Sequence, residues 1–438
     1  MNMRFFESIK LLNFPAIIPS MLLEIEQQSD FQEIEDVALA TRRALDQSSL
    51  LNDLSPGMSV ALGVGSRGIK NISVIVKTVI DRLYELHMKP FVIPAMGSHG
   101  GATAEGQRAI LAGLGITSEI VGAEIRATMK VKKVGSLPDG PDLYQDINAA
   151  NADATLLINR VKPHTDFQSN IESGLSKMAV IGLGKQLGAE AMHKYGARGF
   201  REFLSSAARI YERNTNLIGG LAIVENAYGK TNLITALIAS QIGGLLEENL
   251  LKNARNLMPR LPFSEIDILV LQEIGKDISG TGMDTNVIGR LMIPREPENI
   301  NGPDIAVITV LDLSKKTKGN AAGLGLANIT TLRVVEKIDW ISTYTNSVIS
   351  GIFGMGRSGM PMTMSNDKMT LQVAVRCCGR PQEDVRIVFA KNTSEIKRLW
   401  VSLNLRGKLE SNPNLTIIKE VPLSFSAKGL MTNPWSLD

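Results

Sequence analysis

The feature that most constrains the fold is the alternation of short apolar runs with longer segments of helical periodicity. This alternation is typical of βαβ units and a parallel sheet. We predict an α/β fold of two α/β domains with largely parallel sheets and an active-site cleft between them. The predicted strands span residues 58–64, 90–96, 154–159, 217–224, 266–271 and 305–310. The predicted helices span residues 71–87, 103–114 and 233–256.

The length of the chain also bears on its division. With 438 residues, it is too long for one small core. Pro259 and Pro262 stand directly before a predicted strand, where a linker is expected. We therefore predict an N-terminal domain over residues 1–262 that carries the catalytic residues, and a C-terminal domain over residues 263–438 that closes the cleft.

Charge and apolar patterning indicate the class of partner. The 47 Lys and Arg residues nearly balance the 44 Asp and Glu residues, so no basic field favours nucleic acid or an anionic membrane. We find no apolar run long enough to span a bilayer and no cleavable leader, and we expect a cytoplasmic protein that acts on a small molecule. The two cysteines, Cys377 and Cys378, are adjacent and are expected to be buried small hydrophobes.

A glycine pattern invites a dinucleotide-binding interpretation. Gly63, Gly65 and Gly68 form G-x-G-x-x-G where a strand meets a helix. The second strand, however, ends in FVIPAMGSHGG without the acid that would bind the ribose, so NAD-linked oxidation ranks last. Arg67, within the same turn, is either a surface residue or a group that holds a carboxylate through two parallel hydrogen bonds.

Three of the four histidines follow predicted strands or glycine-rich loops. His99 lies in GSHGGAT, where Gly97 and Gly100 would let a cofactor or substrate approach the backbone. His164 follows a predicted strand in NRVKPHTDF, and His193 lies in a predicted short helix, AEAMHKYG. Taken singly, each of these histidines is better explained as a satisfied or surface residue. Ligand-binding groups of α/β proteins gather at the carboxyl ends of strands, however, so His99 and His164, which follow successive predicted strands, are expected beside one cleft.

Lys177 stands between these histidines in the apolar, glycine-rich segment SGLSKMAVIGLGK. Desolvation could make such a lysine a nucleophile or a covalent anchor. The alternative is a structural lysine whose ammonium reaches solvent. The segment alone leaves both interpretations open.

Taken in order, Arg67, His99, His164, Lys177 and His193 resemble the functional residues of the nickel-dependent lactate racemase family, over roughly residues 55–200. GSR at 65–67 stands in place of the family's D-x-T-R turn, and GSH at 97–99 in place of G-T-H. The two later histidines flank SGLSK in the family's order. The resemblance implies a racemase or epimerase acting on a 2-hydroxy acid.

The resemblance also implies a cofactor and roles for these residues. Lys177 would carry the nickel-pincer nucleotide, pyridinium-3,5-bisthiocarboxylic acid mononucleotide nickel, and His193 would be the nickel ligand. His99 and His164 would transfer protons in the two directions, and Arg67 would fix the substrate carboxylate. Such an enzyme depends on cofactor biosynthesis proteins as partners.

The chain departs from the family pattern at two places. Val64 replaces the acid that precedes the family's arginine by three residues. In GKDISG, Lys276 and Asp277 are retained, and Lys276 is a candidate contact to substrate or cofactor phosphate, but the Tyr-Gln pair that follows is absent. We therefore expect a larger or more polar hydroxy acid than lactate, such as a sugar acid. The candidate new contacts are Asp284, Asn286 and Arg290.

Two other classes of protein stay open. A cofactor-free racemase would use His99 and His164 as opposed bases and leave Lys177 unmodified. A non-catalytic protein that binds or delivers the nickel cofactor would need Lys177 and His193 but tolerate the loss of the other two histidines.

Overall fold

The structure is a computed structural model that describes residues 3–28, 32–66, 68–298 and 302–435. The strands formed by these residues are β1 (Met21–Gln27), β2 (Ser59–Val64), β3 (Lys89–Pro94), β4 (Val131–Ser136), β5 (Asp142–Asp146), β6 (Ala154–Arg160), β7 (Leu217–Glu225), β8 (Thr231–Ile238), β9 (Glu265–Ile274), β10 (Asp304–Leu313), β11 (Ile329–Thr331), β12 (Met362–Met364), β13 (Ile387–Ala390), β14 (Arg398–Ser402), β15 (Leu415–Pro422), β16 (Ser424–Phe425) and β17 (Met431–Asn433).

The α-helices in the described ranges are α1 (Met3–Lys10), α2 (Val37–Asp46), α3 (Ile72–Glu85), α4 (Ala104–Gly113), α5 (Ser118–Val121), α6 (Ile147–Ala150), α7 (Leu175–Lys177), α8 (Lys185–His193), α9 (Gly196–Asn214), α10 (Leu245–Asn256), α11 (Thr285–Ile288), α12 (Leu332–Lys337), α13 (Trp340–Ile349), α14 (Ile352–Met355), α15 (Asp367–Cys377) and α16 (Arg406–Glu410). Within these ranges, no helix combines the length and the apolar character needed to cross a bilayer.

The chain forms two compact units. The central unit is Phe31–Met258, and the terminal unit is Met1–Asp30 together with Pro259–Asp438. This division differs from the predicted one, which placed residues 1–262 in a single domain. Residues 1–30 belong with the C-terminal part because β1 pairs antiparallel with both β14 and β15.

The central unit is built on a five-stranded sheet in the order β3-β2-β6-β7-β8. The first four strands are parallel, and β8 is an antiparallel edge strand. The core lies between the sheet and the helices, with Leu62 and Leu156 packed in one cluster with Ile75 and Val79 of α3. The parallel order follows from βαβ connections, which place β2, β3 and β6 side by side.

The terminal unit contains an eight-stranded sheet in the order β12-β11-β10-β9-β13-β14-β1-β15. Strands β12 to β13 of this order are parallel, and the last three strands are antiparallel additions. Ile268 and Val270 of β9 join one apolar cluster and Leu269 and Leu271 join another, because successive side chains point to opposite faces. The predicted α/β class with largely parallel sheets is confirmed.

One predicted element is wrong in its first half. The sequence predicts a single helix over residues 233–256, but Thr231–Ile238 is strand β8 and only Leu245–Asn256 is helical, as α10. The β-branched side chains in TNLITALI favour a strand. Gly243, whose φ is +77°, turns the backbone between this strand and the helix that follows. Pairing with β7 then fixes the extended conformation.

Candidate active site

Three loops of the central unit leave neighbouring strands at the same edge of the sheet. Ser66 follows β2, His99 follows β3 and His164 follows β6, and the three strands are adjacent. Parallel strands present their carboxyl ends together, so the loops share one side of the unit. Ser66 Oγ and His99 Nδ1 are 2.6 Å apart, a hydrogen bond that joins the first two loops. His99 itself is exposed.

Glycine backbone conformations shape the His99 loop. Gly97 and Gly100 have φ values of +58° and +68°, in the left-handed region that favours glycine. A Cβ at Gly100 would stand 2.5 Å from the carbonyl carbon of Gly106 in α4. These glycines are therefore required for the loop to turn and pack against α4, and the predicted cofactor contacts of Gly97 and Gly100 stay predictions.

The side chains of Lys177 and His164 are in direct contact. Lys177 ends the short helix α7, and its Nζ lies 2.5 Å from His164 Nε2. The other ring nitrogen, His164 Nδ1, accepts a hydrogen bond from the backbone N–H of Asp166 at 3.1 Å. The imidazole is therefore held at both nitrogens, with 20% of its side chain exposed.

An aromatic cluster supports this pair. The ring centroids of His164 and Phe167 are 4.6 Å apart, and those of Phe167 and Phe200 are 5.1 Å apart. His193, the last residue of α8, meets Phe200 edge to face at 5.1 Å. Lys177 Nζ stands 5.6 Å from the Phe200 centroid, within the range of a cation–π contact when it is protonated. Phe200 thus connects the lysine with two of the predicted histidines.

The pKa of His193 is lowered, which favours the neutral imidazole, although the residue as a whole is exposed and only its ring packs on Phe200. Burial of the ring, together with the positive charge of Lys177 when that group is protonated, lowers the pKa of His193, and the carboxylate of Asp166 opposes the shift. A neutral imidazole has a nitrogen lone pair for a metal, which is the property that the predicted nickel ligand needs.

Two buried glutamates hold the segment between His164 and Lys177. Glu172 accepts hydrogen bonds from the N–H groups of His164 and Ser169, both at 2.8 Å, and pairs with Arg255 at 2.5 Å. Burial raises the pKa of Glu172, and Arg255 opposes this effect. The buried carboxylate of Glu172 therefore fixes the position of the His164 backbone.

Glu247 of α10 fixes the backbone next to Lys177. It accepts from the backbone N–H of Ser176 at 3.0 Å, from the Ser176 hydroxyl and from the N–H of Gly243 at 2.8 Å. Burial raises the pKa of Glu247. Gly174 approaches this carboxylate so closely that a Cβ there would overlap with it. These contacts fix the backbone directly before Lys177.

A second lysine, Lys185, connects the helix that ends at His193 with the His99 loop. Its side chain is fully buried, and its Nζ lies 3.0 Å from both Asp146 Oδ2 and Gln107 Oε1. The amide nitrogen of Gln107 donates to the carbonyls of Gly97 at 2.8 Å and His99 at 3.3 Å. Asp146, Lys185 and Gln107 therefore form a buried polar chain beneath the loop.

The structure brings together Lys177, His164 and His193 of the predicted set and connects His99 to the neighbouring loop. Arg67 lies outside the described residues. Lys276 belongs to the terminal unit, where its Nζ donates to the carbonyl of Gly280 at 2.6 Å. From the sequence we did not identify Ser66, Phe167, Phe200, the two glutamates or the Asp146–Lys185–Gln107 chain.

Other predicted contacts in the terminal unit have local partners. Arg290 donates to the carbonyls of Leu326 and Ile305, at 2.9 and 2.8 Å, and burial lowers its pKa. Asp284 is the N-cap of α11 and accepts from the N–H of Asn286 at 3.0 Å. Arg290 is thereby tied to backbone positions, and the proposed substrate contacts of Asp284 and Asn286 stay predictions.

The central unit thus defines an α/β protein with a lysine–imidazole pair at the carboxyl ends of parallel strands. No protein-family model and no curated protein sequence matches the chain. Among solved structures, it is similar to the lactate racemase apoprotein from Thermoanaerobacterium thermosaccharolyticum, with 14% identity, 90% of this chain and 96% of that chain covered, and a TM-score of 0.47. It is also similar to a Thermotoga maritima protein from a structural genomics consortium, with 15% identity, 64% and 72% covered, and a TM-score of 0.46. Likenesses at these identities and TM-scores do not indicate a function.

Proposed function

We propose that the protein is a racemase or epimerase that inverts the hydroxyl-bearing C2 of a 2-hydroxy acid and uses a nickel-pincer nucleotide attached to Lys177. The observation that carries the proposal is the contact of the Lys177 amine with His164 beside His193 and Phe200. A half-buried lysine with an imidazole at hydrogen-bond distance is suited to covalent attachment. The order of the same residues in the sequence gives independent support.

The residues fit a nickel centre whose other ligands are not protein groups. Among the described residues, no group of three or more His, Cys, Asp or Glu side chains could hold a metal ion. His193 offers a neutral imidazole at the site, because desolvation of its ring is the main cause that lowers its pKa. A single imidazole suffices only if a cofactor supplies the remaining donors, as the carbon and sulfurs of a pincer nucleotide do.

The chain's own residues would bind the substrate and move its protons. When bound, the cofactor supplies an acceptor for the hydrogen on C2. His164 and His99 exchange the hydroxyl proton, one for each enantiomer, because the two enantiomers present that hydroxyl differently. Because His99 Nδ1 shares a hydrogen bond with Ser66 Oγ, we assign the proposed proton exchange to Nε2. Replacing either histidine with alanine is expected to lower the rate by ~100-fold or more.

The proposed substrate follows from the departures from the lactate racemase pattern, and the proposed partners follow from the cofactor. A hydroxy acid larger than lactate, such as a sugar acid, fits the loss of the Tyr-Gln pair. Asp284 and Asn286 are the proposed polar contacts, and Lys276 is the proposed contact to substrate or cofactor phosphate. Maturation proteins that make the cofactor are the proposed protein partners.

The test is to produce the protein together with the cofactor's biosynthetic enzymes and measure intact mass and nickel content. We expect one covalent adduct on Lys177 and one nickel ion for each chain. Lys177→Arg keeps a long basic side chain but replaces the amine with a guanidinium, which is always protonated, and should lose the adduct. Lys194→Arg, at an exposed position, should keep the adduct. His193→Ala should keep the adduct and lose the nickel.

Three results would contradict this proposal. An adduct on the Lys177→Arg variant would show that the cofactor is attached to another residue. Unchanged nickel content in His193→Ala would show that another group is the nickel ligand. Activity of protein that lacks both adduct and nickel would favour the cofactor-free racemase, in which His99 and His164 act directly as bases.

A further inference from the structure

The two nitrogens of His164 have different partners, and together these partners define where its proton lies. The backbone N–H of Asp166 points at Nδ1 from 3.1 Å, and a backbone N–H can only donate. Nδ1 is therefore the acceptor nitrogen and carries no hydrogen. In the neutral imidazole the single N–H then belongs to Nε2.

The position of this hydrogen determines which protonation state of Lys177 fits the contact. Its Nζ lies 2.5 Å from His164 Nε2, and a nitrogen that carries a hydrogen in this contact needs a lone pair opposite it. An ammonium group has three donors and no lone pair, whereas a neutral amine can accept. We propose that in the unmodified protein His164 holds Lys177 as a neutral amine, and that this makes Lys177 a reactive site for electrophiles with a carbonyl-type carbon.

The surroundings of the pair agree with this assignment. The Asp166 carboxylate is 3.7 Å from His164 Nδ1, which is beyond hydrogen-bond distance, whereas the Asp166 N–H is within it. The buried carboxylate of Glu172 is paired with Arg255, and that of Glu247 is engaged by Ser176 and Gly243.

The chemistry available to a neutral amine is addition to a carbonyl carbon. The nitrogen lone pair of Lys177 adds to an aldehyde, the adduct loses water, and an imine forms. Cyanoborohydride reduces the imine by delivering a hydride to carbon, while water supplies the proton to nitrogen. An ordinary lysine, with a pKa of about 10.4, has roughly one amine in 2,500 unprotonated at pH 7, so neutrality should appear as a large increase in rate.

The experiment uses protein produced without cofactor biosynthesis, with intact mass confirming an unmodified chain. The protein is treated with acetaldehyde and cyanoborohydride at pH 7, and peptide mass spectrometry follows ethylation of Lys177 and of exposed Lys252 on α10. We expect Lys177 to react about 100-fold faster than Lys252. This factor is smaller than the gain in the fraction of neutral amine, because the half-buried position of Lys177 slows the approach of the aldehyde. His164→Ala should bring the Lys177 rate within about threefold of the Lys252 rate.

The alanine variant separates proton placement from access. It removes bulk beside Lys177 and increases access, so a slower reaction there can only come from protonation of the amine. His99→Ala, which leaves the Lys177–His164 contact intact, is the matched control and should keep the fast rate. Circular dichroism of the native variants checks that they are folded. Labelling of the urea-unfolded chains, followed by mass spectrometry, checks that the two lysines react equally when the fold is absent.

Two outcomes would overturn the inference. One is a wild-type Lys177 that reacts no faster than Lys252, and the other is a fast rate that survives His164→Ala in a folded chain. Neither outcome depends on nickel or on a hydroxy acid. A reactive Lys177 in a chain that never acquires nickel would support this inference while refuting the proposed racemase, and the two failures are therefore distinguishable.

Discussion

Replacing Lys185 with methionine removes the ammonium from a fully buried polar chain. Asp146, which is equally buried, then loses the charge 3.0 Å from its Oδ2, and Gln107 Oε1 loses its donor. Methionine keeps the length and apolar stem of lysine, so little cavity forms. Removing one partner of a buried ion pair costs about 3–5 kcal/mol, and we expect a loss of that size in the central unit.

The pH dependence of this loss has a defined sign. Burial raises the pKa of Asp146, and Lys185 opposes that shift. Without Lys185 the folded-state pKa rises further above the unfolded value, so the variant loses stability as pH increases through that range. The destabilisation should therefore be larger at pH 8 than at pH 5.

The assay must report the central unit, because all three tryptophans, Trp340, Trp400 and Trp435, lie in the terminal unit. Amide hydrogen exchange of α8 peptides measures the local opening free energy directly. Lys194→Met, at an exposed position of the same segment, is the control and should change it by no more than about 0.5 kcal/mol.

A double-mutant cycle completes the test. Asp146→Asn keeps an N-cap acceptor for α6, so the double variant with Lys185→Met should cost about 0.5–3 kcal/mol less than the sum of the single variants. A loss below about 1 kcal/mol in Lys185→Met, or strict additivity in the cycle, would refute the account of this buried chain.

Three further predictions concern the neighbouring residues. The C2 proton of His193 should titrate by NMR below about pH 6.5 in the unmodified protein, and because its folded-state pKa is lowered, its contribution to stability is lost as pH falls; a midpoint at or above 6.5 would contradict this. Phe200→Ala should cost about 3–5 kcal/mol in amide exchange of α9, since the ring is 2% exposed, and a loss under 1 kcal/mol would be inconsistent with its packing. Gly100→Ala should cost more than Gly101→Ala in thermal unfolding, because both have positive φ but only a Cβ at Gly100 meets the α4 backbone; equal costs would refute the steric reason.

The strands of the central sheet could be predicted because they are buried apolar runs between helical segments. Residues 58–64, 90–96 and 154–159 were predicted as strands, and β2, β3 and β6 occupy them within two residues at each end. The β8 region was predicted wrongly, because the apolar residues of TNLITALI also follow a helical periodicity. Its β-branched residues favour a strand, and the pairing with β7 fixes that conformation. Strand β1 was not predicted, because its partners lie more than 370 residues away along the chain.

The site was predicted only where a rare residue type marked it. Four histidines in the chain made His99, His164 and His193 conspicuous, and the glycine-rich setting marked Lys177. Glu172 and Glu247 gave no comparable signal among 44 acidic residues, because their role depends on burial and on backbone donors brought together by the fold. Lys185 stands in a setting as apolar as that of Lys177, and only the structure shows that it is sealed in a buried pair.

The fate of the C2 hydrogen tests the central claim most directly. The matured protein is incubated with one enantiomer of a 2-hydroxy acid, lactate or a sugar acid, in deuterium oxide, and the inverted product of the first turnovers is analysed by mass spectrometry. If the cofactor took up the C2 hydrogen and returned it without exchange with water, the inverted product would carry little deuterium at C2, and this is the result we predict. Near-stoichiometric deuterium at C2 would show direct proton abstraction by histidine and would contradict the role assigned to Lys177.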